Sequence, residues 1–306
     1  MITRRQFFQG IGAGAAGSFG VGGYALAEPW GTSVTRYKVS PPRWPDELDL
    51  KLAVIADLHA CDPWMGIDRI RGLVEQTNAL KPDCVLLLGD YVAGDGMSRF
   101  ANPIACKDWA AALGGLSAPH GVHAVLGNHD WWEDEQAQRR GCGPTRVGMA
   151  LERAGIPVYD NASVRLEKNG APFWLAGLGD QWAFTRRGGC RDRKRGPCEG
   201  VDDLDGTLRQ VTDDAPVILM AHEPDIFPKV PDRVALTIAG HTHGGQVRVL
   251  GYAPIVPSRY GSRYVYGHIV EEKRNLIVSA GLGCSIAPVR LGAPPEIVLV
   301  EIGTQA

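Results

Sequence analysis

The chain has 306 residues, of which 44% are hydrophobic and 22% are charged. These values predict one large α/β domain or two small ones with a sizeable buried core, and they exclude a chain too polar to fold. The net charge of −2 argues against a protein that binds nucleic acid through bulk positive charge, so no stable nucleic-acid binding is expected.

The first 27 residues have the composition of an export signal. Arg4 and Arg5 precede two phenylalanines, and no further charge follows until Glu28. The stretch ends in Ala25-Leu26-Ala27, a small-x-small cleavage pattern, and the arginine pair resembles a twin-arginine signal. We expect a signal peptide over residues 1–27 that uses the twin-arginine translocation machinery. The protein would then lie in the periplasm or at the outer face of the cytoplasmic membrane. An ordinary secretory signal and an uncleaved anchor are the alternatives.

A proline-rich stretch follows the signal. Pro41, Pro42 and Pro45 predict a linker over residues 28–49. No internal repeat or later boundary is visible, so residues 50–306 are predicted to form one domain.

The first half of this domain alternates strands with helices. Apolar runs predict strands at 50–56, 84–88 and 122–126. Helices are predicted at 67–80, 104–116 and 145–154. Strand–helix units in series imply right-handed crossovers and a largely parallel sheet, with functional side chains beyond the carboxyl ends of its strands.

The second half is richer in short strands. They are predicted at 164–167, 173–177, 217–220, 235–239, 246–249, 276–280 and 296–301. The whole pattern favours two packed sheets with helices outside them.

Polar motifs directly follow five of the apolar strands. They are Asp57-Leu58-His59, Gly89-Asp90, Gly127-Asn128-His129-Asp130, His222 and Gly240-His241-Thr242-His243. Each is common alone, but their joint occurrence at strand ends favours a metal site. In extended backbone, the two side chains of an i, i+2 pair face the same way and could reach one metal cluster. Nitrogen and oxygen ligands without thiolate suit Mn, Fe, Zn or Co, among which the sequence does not choose.

Together these motifs resemble the complete signature of calcineurin-like metallophosphoesterases. Three segments are most similar to the exported branch of YkuE/YaeI-type bacterial phosphodiesterases: His241 to Gln246, Gly281 to Gly283 and Pro288 to Leu291. The resemblance covers Leu50 to Ile302. It implies an α/β fold with four layers, an α/β/β/α sandwich of two mixed sheets.

The resemblance also implies the role of each site residue. Two divalent metal ions would be bridged by Asp90. The first would also be bound by Asp57, His59 and His243, and the second by Asn128, His222 and His241. His129 corresponds to a catalytic histidine that is not a ligand, and Asp130 to the carboxylate that orients it. A hydroxide bridging the two metals would attack phosphorus.

The expected activity is metal-dependent hydrolysis of phosphate esters, with a preference for diesters, outside the cytoplasm. The substrate could derive from a lipid or a nucleotide. A lipid-sugar nucleotide pyrophosphatase is one alternative, which export disfavours because that substrate is cytoplasmic. A non-catalytic, metal-dependent binding protein of the envelope is another, which the complete ligand set disfavours.

Two pairs of residues have alternative interpretations. Trp131 and Trp132 could form an apolar rim at the site or anchor the next helix in the core. Cys190 and Cys198 flank a polar loop and predict a small disulfide in an oxidising compartment, with two free thiols as the alternative.

Overall fold

The computed structural model of the chain describes residues 22–184 and 199–303. The expected disulfide between Cys190 and Cys198 lies outside the described residues, as does most of the expected signal peptide. Residues 22–27 are helical, and a 3-10 helix follows at Glu28–Trp30. Within the described part of the chain, no helix is long and apolar enough to cross a membrane.

The strands in chain order are β1 (Ser33–Val39), β2 (Leu50–Ile55), β3 (Cys61–Asp62), β4 (Cys84–Leu87), β5 (Asn102–Pro103), β6 (Val122–Ala124), β7 (Ala162–Lys168), β8 (Ala171–Gly177), β9 (Val217–Met220), β10 (Val234–Ala239), β11 (Gly267–Glu271), β12 (Arg274–Val278) and β13 (Glu296–Ile302). The α-helices are α1 (Ile67–Ala79), α2 (Cys106–Leu113), α3 (Asn128–Trp132), α4 (Glu135–Arg140), α5 (Arg146–Arg153) and α6 (Leu204–Arg209). Further 3-10 helices lie at Asp95–Arg99, Pro224–Lys229, His243–Gly245 and Gly261–Tyr264.

The strands form two main mixed sheets. The first has the order β1-β13-β2-β4-β6, and all its neighbours are parallel except β13 and β2. The second has the order β11-β12-β10-β9-β8-β7, with antiparallel pairs only at its two edges. Strands β3 and β5 form a separate two-stranded ribbon.

The four-layer sandwich is confirmed by where alternate side chains of each strand pack. In β2, Leu52 and Val54 belong to the core between the two sheets, whereas Ala53 and Ile55 pack in the core under α1, α2 and α5. A strand that is apolar on both faces is typical of a sheet covered on both sides. The second sheet follows the same rule, since its outer face packs against α6 and the 3-10 helix Pro224–Lys229.

Helix α1 shows why the predicted helices of the first half form. Its buried side chains are Ile70, Leu73, Val74 and Thr77, the i, i+3, i+4, i+7 spacing of one helical face. Helix α5 begins after Thr145, whose hydroxyl oxygen accepts a hydrogen bond from Gly148 N at 3.0 Å. This N-cap satisfies one of the free amides of the first turn.

The structure differs from the expected linker at 28–49. That segment contributes β1, which pairs in parallel with β13 from Ser33–Glu296 to Val39–Ile302. The predicted strand at 246–249 is wrong, because the chain there makes only isolated bridges, from Val247 to Leu291 and from Val249 to Tyr252. A tight turn at Leu250 and Gly251, both with positive φ, bends the backbone at this point.

Candidate metal centre

The predicted ligands meet where the carboxyl ends of the two sheets face each other. Strands β2, β4 and β6 are neighbours in the first sheet, and β9 and β10 are neighbours in the second. The side chains that follow these five strands are all at most 5% exposed: Asp57, His59, Asp90, Asn128, His222, His241 and His243.

The backbone at these ligands is left-handed rather than extended. Five of them have positive φ: Asp57 (53°), His59 (48°), Asp90 (56°), His241 (69°) and His243 (53°). Asp57 and His59 belong to one buried cluster, whereas His241 and His243 divide between two, and the extended backbone assumed for both pairs is wrong. Such a conformation costs roughly 1–2 kcal/mol for a residue with a side chain, so its repetition here marks a functional site.

Glycines make room for the ligands at the ends of β4 and β6. A Cβ atom on Gly127 would lie 2.5 Å from Asp90 Oδ1 and 2.6 Å from His222 Cε1. A Cβ atom on Gly89, whose φ is 93°, would lie 2.4 Å from Gly127 N. Since all three distances are far below van der Waals contact, a larger residue at Gly127 would displace Asp90 and His222, and one at Gly89 would displace the backbone of Gly127.

Asp57, His59 and His243 form the first of two buried clusters. His59 Nε2 lies 3.1 Å from His243 Nε2, and His243 Nε2 lies 3.7 Å from Asp57 Oδ1. His59 donates its Nδ1–H to the carbonyl oxygen of Val92 at 2.9 Å. That bond fixes the tautomer, because it leaves the Nε2 lone pair facing the cluster.

Asp90, His222 and His241 form the second cluster. His222 Nε2 lies 3.3 Å from Asp90 Oδ2 and 3.2 Å from His241 Nδ1. The other ring nitrogen of His222 donates to the carbonyl oxygen of Leu88 at 2.6 Å. The same device therefore directs the lone pair of this histidine into its cluster.

Asp90 connects the two clusters. Its Oδ2 lies 3.6 Å from His59 Nε2 in the first cluster and 3.3 Å from His222 Nε2 in the second. Its Oδ1 accepts a hydrogen bond from His129 N at 2.8 Å. One carboxylate thus lies between both sets of imidazoles.

The chemistry of these side chains fits two bound cations. Asn128 Oδ1 is buried and has no hydrogen-bond partner within the described residues, as expected for an oxygen that binds a metal. Burial lowers the pKa of His59 to about 4 and that of His241 to about 3, so both imidazoles are neutral, the form that can bind a metal. Burial also raises the pKa of Asp57 to about 7, a cost that a nearby cation would remove.

Residues 50–245 match the family model described as calcineurin-like phosphoesterase. The chain belongs to the calcineurin-like phosphoesterase family. It is a metal-dependent phosphoesterase, and its two buried His/Asp clusters are consistent with a binuclear metal site.

Curated relatives resemble this phosphoesterase over nearly its full length. The uncharacterized metallophosphoesterase YkuE of Bacillus subtilis is 30% identical over 309 residues, which cover 98% of each chain. Phosphodiesterase YaeI of Escherichia coli is 29% identical over 307 residues, or 99% of this chain and 100% of the relative. An uncharacterized metallophosphoesterase of Aquifex aeolicus is 28% identical over 92% of this chain and 96% of its own length.

His129 lies beside the metal centre of the phosphoesterase, outside both clusters. Its ring centroid is 5.2 Å from that of His59, and its Nε2 lies 3.5 Å from Ser285 Oγ. Burial acts to lower the pKa of His129, but the carboxylates of Asp90 and Glu133 outweigh burial and raise it. The ring is therefore suited to hold a proton next to the site.

The contact expected between Asp130 and His129 is replaced by one with Glu133. Asp130 accepts hydrogen bonds from the backbone amides of Asp90 (2.8 Å), Gly127 (2.9 Å) and Tyr91 (2.9 Å). It therefore joins the ligand-bearing loops after β4 and β6. His129 Nδ1 instead lies 3.4 Å from Glu133 Oε1, one helical turn further on.

Arg290 is a further residue that sequence reasoning left without a role. Its buried guanidinium donates to the carbonyl oxygens of Ala293 at 2.8 Å and Ala280 at 2.9 Å. Its Nη2 lies 3.3 Å from His243 Nδ1. Arg290 thus holds residues 280–293 against the first cluster. In the sequence, Arg290 stood out only as part of Pro288 to Leu291, a segment that resembles the family but indicates no ligand or catalytic role.

A cavity of about 430 Å³ opens directly onto the phosphoesterase site. Asp90, Asn128 and His129 are part of its lining. The two tryptophans after His129 have different positions. Trp131 is buried in the core against Phe184, whereas Trp132 lines the cavity.

Proposed function

We propose that this phosphoesterase is an exported phosphodiesterase. The observation that carries the diesterase assignment is the shared position of Asp90 between two buried clusters, at the end of an open cavity and beside His129. Such a cavity can accept an ester with a group on either side of phosphorus. A relative of matching length, YaeI, is itself named a phosphodiesterase, which supports the assignment.

Each residue of the site has a part in this reaction. Bound divalent cations would supply Lewis-acid activation of water and would neutralise charge on the phosphoryl oxygens. Asp57, His59 and His243 would bind one cation, and Asn128, His222 and His241 the other, with Asp90 shared. His129 would donate a proton to the departing oxygen, and Glu133 would hold its ring and keep it protonated.

Hydrolysis of bis(4-nitrophenyl) phosphate in ¹⁸O-labelled water tests this function. The purified chain loaded with Mn²⁺ should release nitrophenolate and place the label in the remaining phosphate monoester, because water attacks phosphorus. Asp57→Asn should remove most of the activity. Arg36→Lys, an exposed change in β1, is the matched control. Failure to hydrolyse this diester with Mn, Fe, Zn or Co would refute the function.

Export is a separate part of the proposal and rests on Arg4 and Arg5. Replacing both with Lys should leave the protein in the cytoplasm with its signal uncleaved, since the twin-arginine pathway reads the arginine pair. Cell fractionation with mass analysis of the amino terminus measures this. Normal export of the double variant would reject the twin-arginine route.

A further inference from the structure

The walls of the cavity at the metal centre are apolar away from the ligands. They are formed by Trp132, Trp182, Ile255, Pro257, Ile286 and Val289. Of the described residues that line the cavity, Asp90 is the only Asp or Glu, and none is Lys or Arg. A substrate with a second phosphate or a charged sugar would find no Lys or Arg for that charge among the described residues that line the cavity.

The polar side chains in these walls bond to the protein. Gln246 donates its Nε2–H groups to the carbonyl oxygens of Ala287 (2.9 Å) and Val289 (3.0 Å). Its Oε1 accepts from Ser285 N at 3.1 Å. Thr242 donates its hydroxyl to the Val265 carbonyl at 2.8 Å. These groups are engaged and are not free to recognise the edges of a base or a sugar.

The two wall tryptophans add little polar recognition. Trp132 donates its indole N–H to the carbonyl oxygen of Trp182 at 2.6 Å. The indole N–H of Trp182 is buried without a partner within the described residues, and a single donor does not define a base. The rings themselves offer apolar faces, which suit a hydrocarbon.

The apolar lining continues outside onto the surface. Ile255 is 70% exposed and Ile286 is 65% exposed at the mouth. Between Val247 and Pro254, which also line the cavity, the chain makes a turn in which Val249 and Tyr252 exchange two backbone hydrogen bonds. Leu250 at its tip is fully exposed and has a φ of 52°.

That turn is unfavourable in water for two reasons. Positive φ at both Leu250 and Gly251 (52° and 84°) is the pattern of a type I′ turn, for which Asn-Gly is the favoured sequence. A leucine there adds backbone strain and exposes a large apolar side chain. A lipid phase would accommodate that side chain.

We propose that the cavity binds the hydrocarbon part of a lipid phosphate ester, and that the 249–252 turn contacts the lipid surface from which the substrate comes. This rests on the proposed phosphodiesterase function and names its substrate class. The phosphate lies at the metal centre, and the hydrocarbon lies against Trp132, Ile255 and Ile286. Val247 and Pro254 line the cavity and flank the turn that carries the exposed tip.

A series of 4-nitrophenyl alkyl phosphodiesters tests the substrate class. Methyl, butyl and octyl esters share one leaving group, so differences in kcat/KM below the micellar concentration report the alkyl chain. Each methylene that enters the cavity should raise kcat/KM by up to roughly fourfold. The octyl ester should then exceed the methyl ester by at least about 30-fold.

Matched variants locate the effect. Ile255→Asn and Ile286→Asn should each lower the octyl-to-methyl ratio by at least about tenfold, since several methylenes lose apolar contact. Val270→Asn is the control, because Val270 is also exposed but lies in β11 and does not line the cavity. It should keep the wild-type ratio.

The outcomes separate this proposal from the function on which it rests. Equal kcat/KM for the methyl and octyl esters overturns the lipid assignment but leaves the phosphodiesterase intact. A higher kcat/KM for the 4-nitrophenyl ester of thymidine 5′-monophosphate than for the octyl ester has the same meaning. If no ester is hydrolysed, the proposed phosphodiesterase function is refuted. The hydrocarbon site is then tested by calorimetry on the metal-loaded protein, which should bind octylphosphonate more tightly than methylphosphonate, and equal affinities would overturn it.

The turn has its own test. The wild-type chain should sediment with phosphatidylcholine vesicles, and Leu250→Asp should reduce the bound fraction at least about tenfold, because a charge in the lipid phase is costly. Val270→Asp, equally charged and also exposed, should bind as the wild type does. If the wild type does not bind, or if all three proteins bind alike, the turn is not a lipid contact.

Discussion

Asp90 is the single residue on which both metal clusters depend. Its Oδ2 lies within 3.6 Å of an imidazole nitrogen from each cluster. Asp90→Asn keeps an oxygen that can accept from His129 N but removes the charge. We expect the metal affinity of both sites to fall at least about tenfold. Changing a residue that only hydrogen-bonds to a metal ligand already causes a loss of that size. Metal content after dialysis against buffered Mn²⁺ measures this. Asn128→Ala should affect chiefly one site, and full metal content in Asp90→Asn would disprove bridging.

His129→Ala separates proton transfer from metal binding. The histidine lies beside the clusters and belongs to neither, so both metals should remain. An alkoxide needs a proton as it leaves, whereas nitrophenolate does not. Activity should fall on the order of 10²–10⁴-fold with an alkyl leaving group and clearly less with a nitrophenyl ester. Equal losses on the two esters would indicate stabilisation of phosphoryl charge instead.

Glu133→Gln tests how that proton is held. The carboxylate of Glu133 helps to raise the pKa of His129, so removing its charge should lower that pKa. A general acid works only while protonated, and activity falls as pH rises through its pKa. The alkaline limb of the kcat/KM profile should therefore move to lower pH. An unchanged limb, with activity retained, would show that Glu133 does not act on His129.

The sequence was most informative about which residues face the site and least informative about their contacts. Strand ends and ligand types predicted the residues that the two clusters bring together. Hydrogen bonds depend on side-chain rotation, so the sequence did not distinguish Asp130 from Glu133 as the partner of His129. The i, i+4 spacing from His129 to Glu133 could have suggested that pair, because such residues are neighbours on a helix.

Among the strands of the two main sheets, β1 and β11 were missed, and both lie at a sheet edge, although the edge strands β6 and β7 were predicted. Strand β4 is a continuous apolar run, and β2 is apolar except for Lys51, because both faces of the sheet are covered there. Strand β1 lies at the edge of its sheet and exposes Arg36 and Lys38, so it reads as a polar linker. Strand β11 is an edge strand too, with exposed residues alternating along it. Pairing with a neighbour, which a single segment does not encode, makes these segments strands.

The 249–252 turn allows a prediction at the same scale. Leu250→Asn should raise the free energy of unfolding by about 0.5–1 kcal/mol, since asparagine tolerates positive φ better than leucine and exposes no large apolar side chain. Urea unfolding measures the change. Val249→Asn, next to it but outside the left-handed pair, is the control and should not stabilise. A lower free energy of unfolding in Leu250→Asn would show that the backbone at Leu250 is not strained.

For the whole molecule, the metal centre joins the two sheets. Asp57, His59, Asp90 and Asn128 follow strands of the first sheet, whereas His222, His241 and His243 follow strands of the second. Free metal at 100 times its Kd should stabilise the folded chain by about 2.7 kcal/mol per site. Thermal unfolding before and after chelation measures this. In Asp90→Asn, chelation should lower the melting temperature much less. Equal melting temperatures of the wild type with and without metal would show that bound metal does not hold the two sheets together.

The order β1-β13-β2 has a consequence for the timing of assembly. Strand β13 is the last of the described strands, yet it lies between the first two strands of its sheet. A ribosome releases β2 long before β13, so the sheet stays incomplete while most of the chain is already synthesised. Asp57 follows β2 and contacts the segment just before β13, with Gly283 N donating to its carbonyl oxygen at 2.7 Å. We therefore expect a chain truncated before β13 to offer no finished binuclear site, so that metal uptake would follow the addition of this strand.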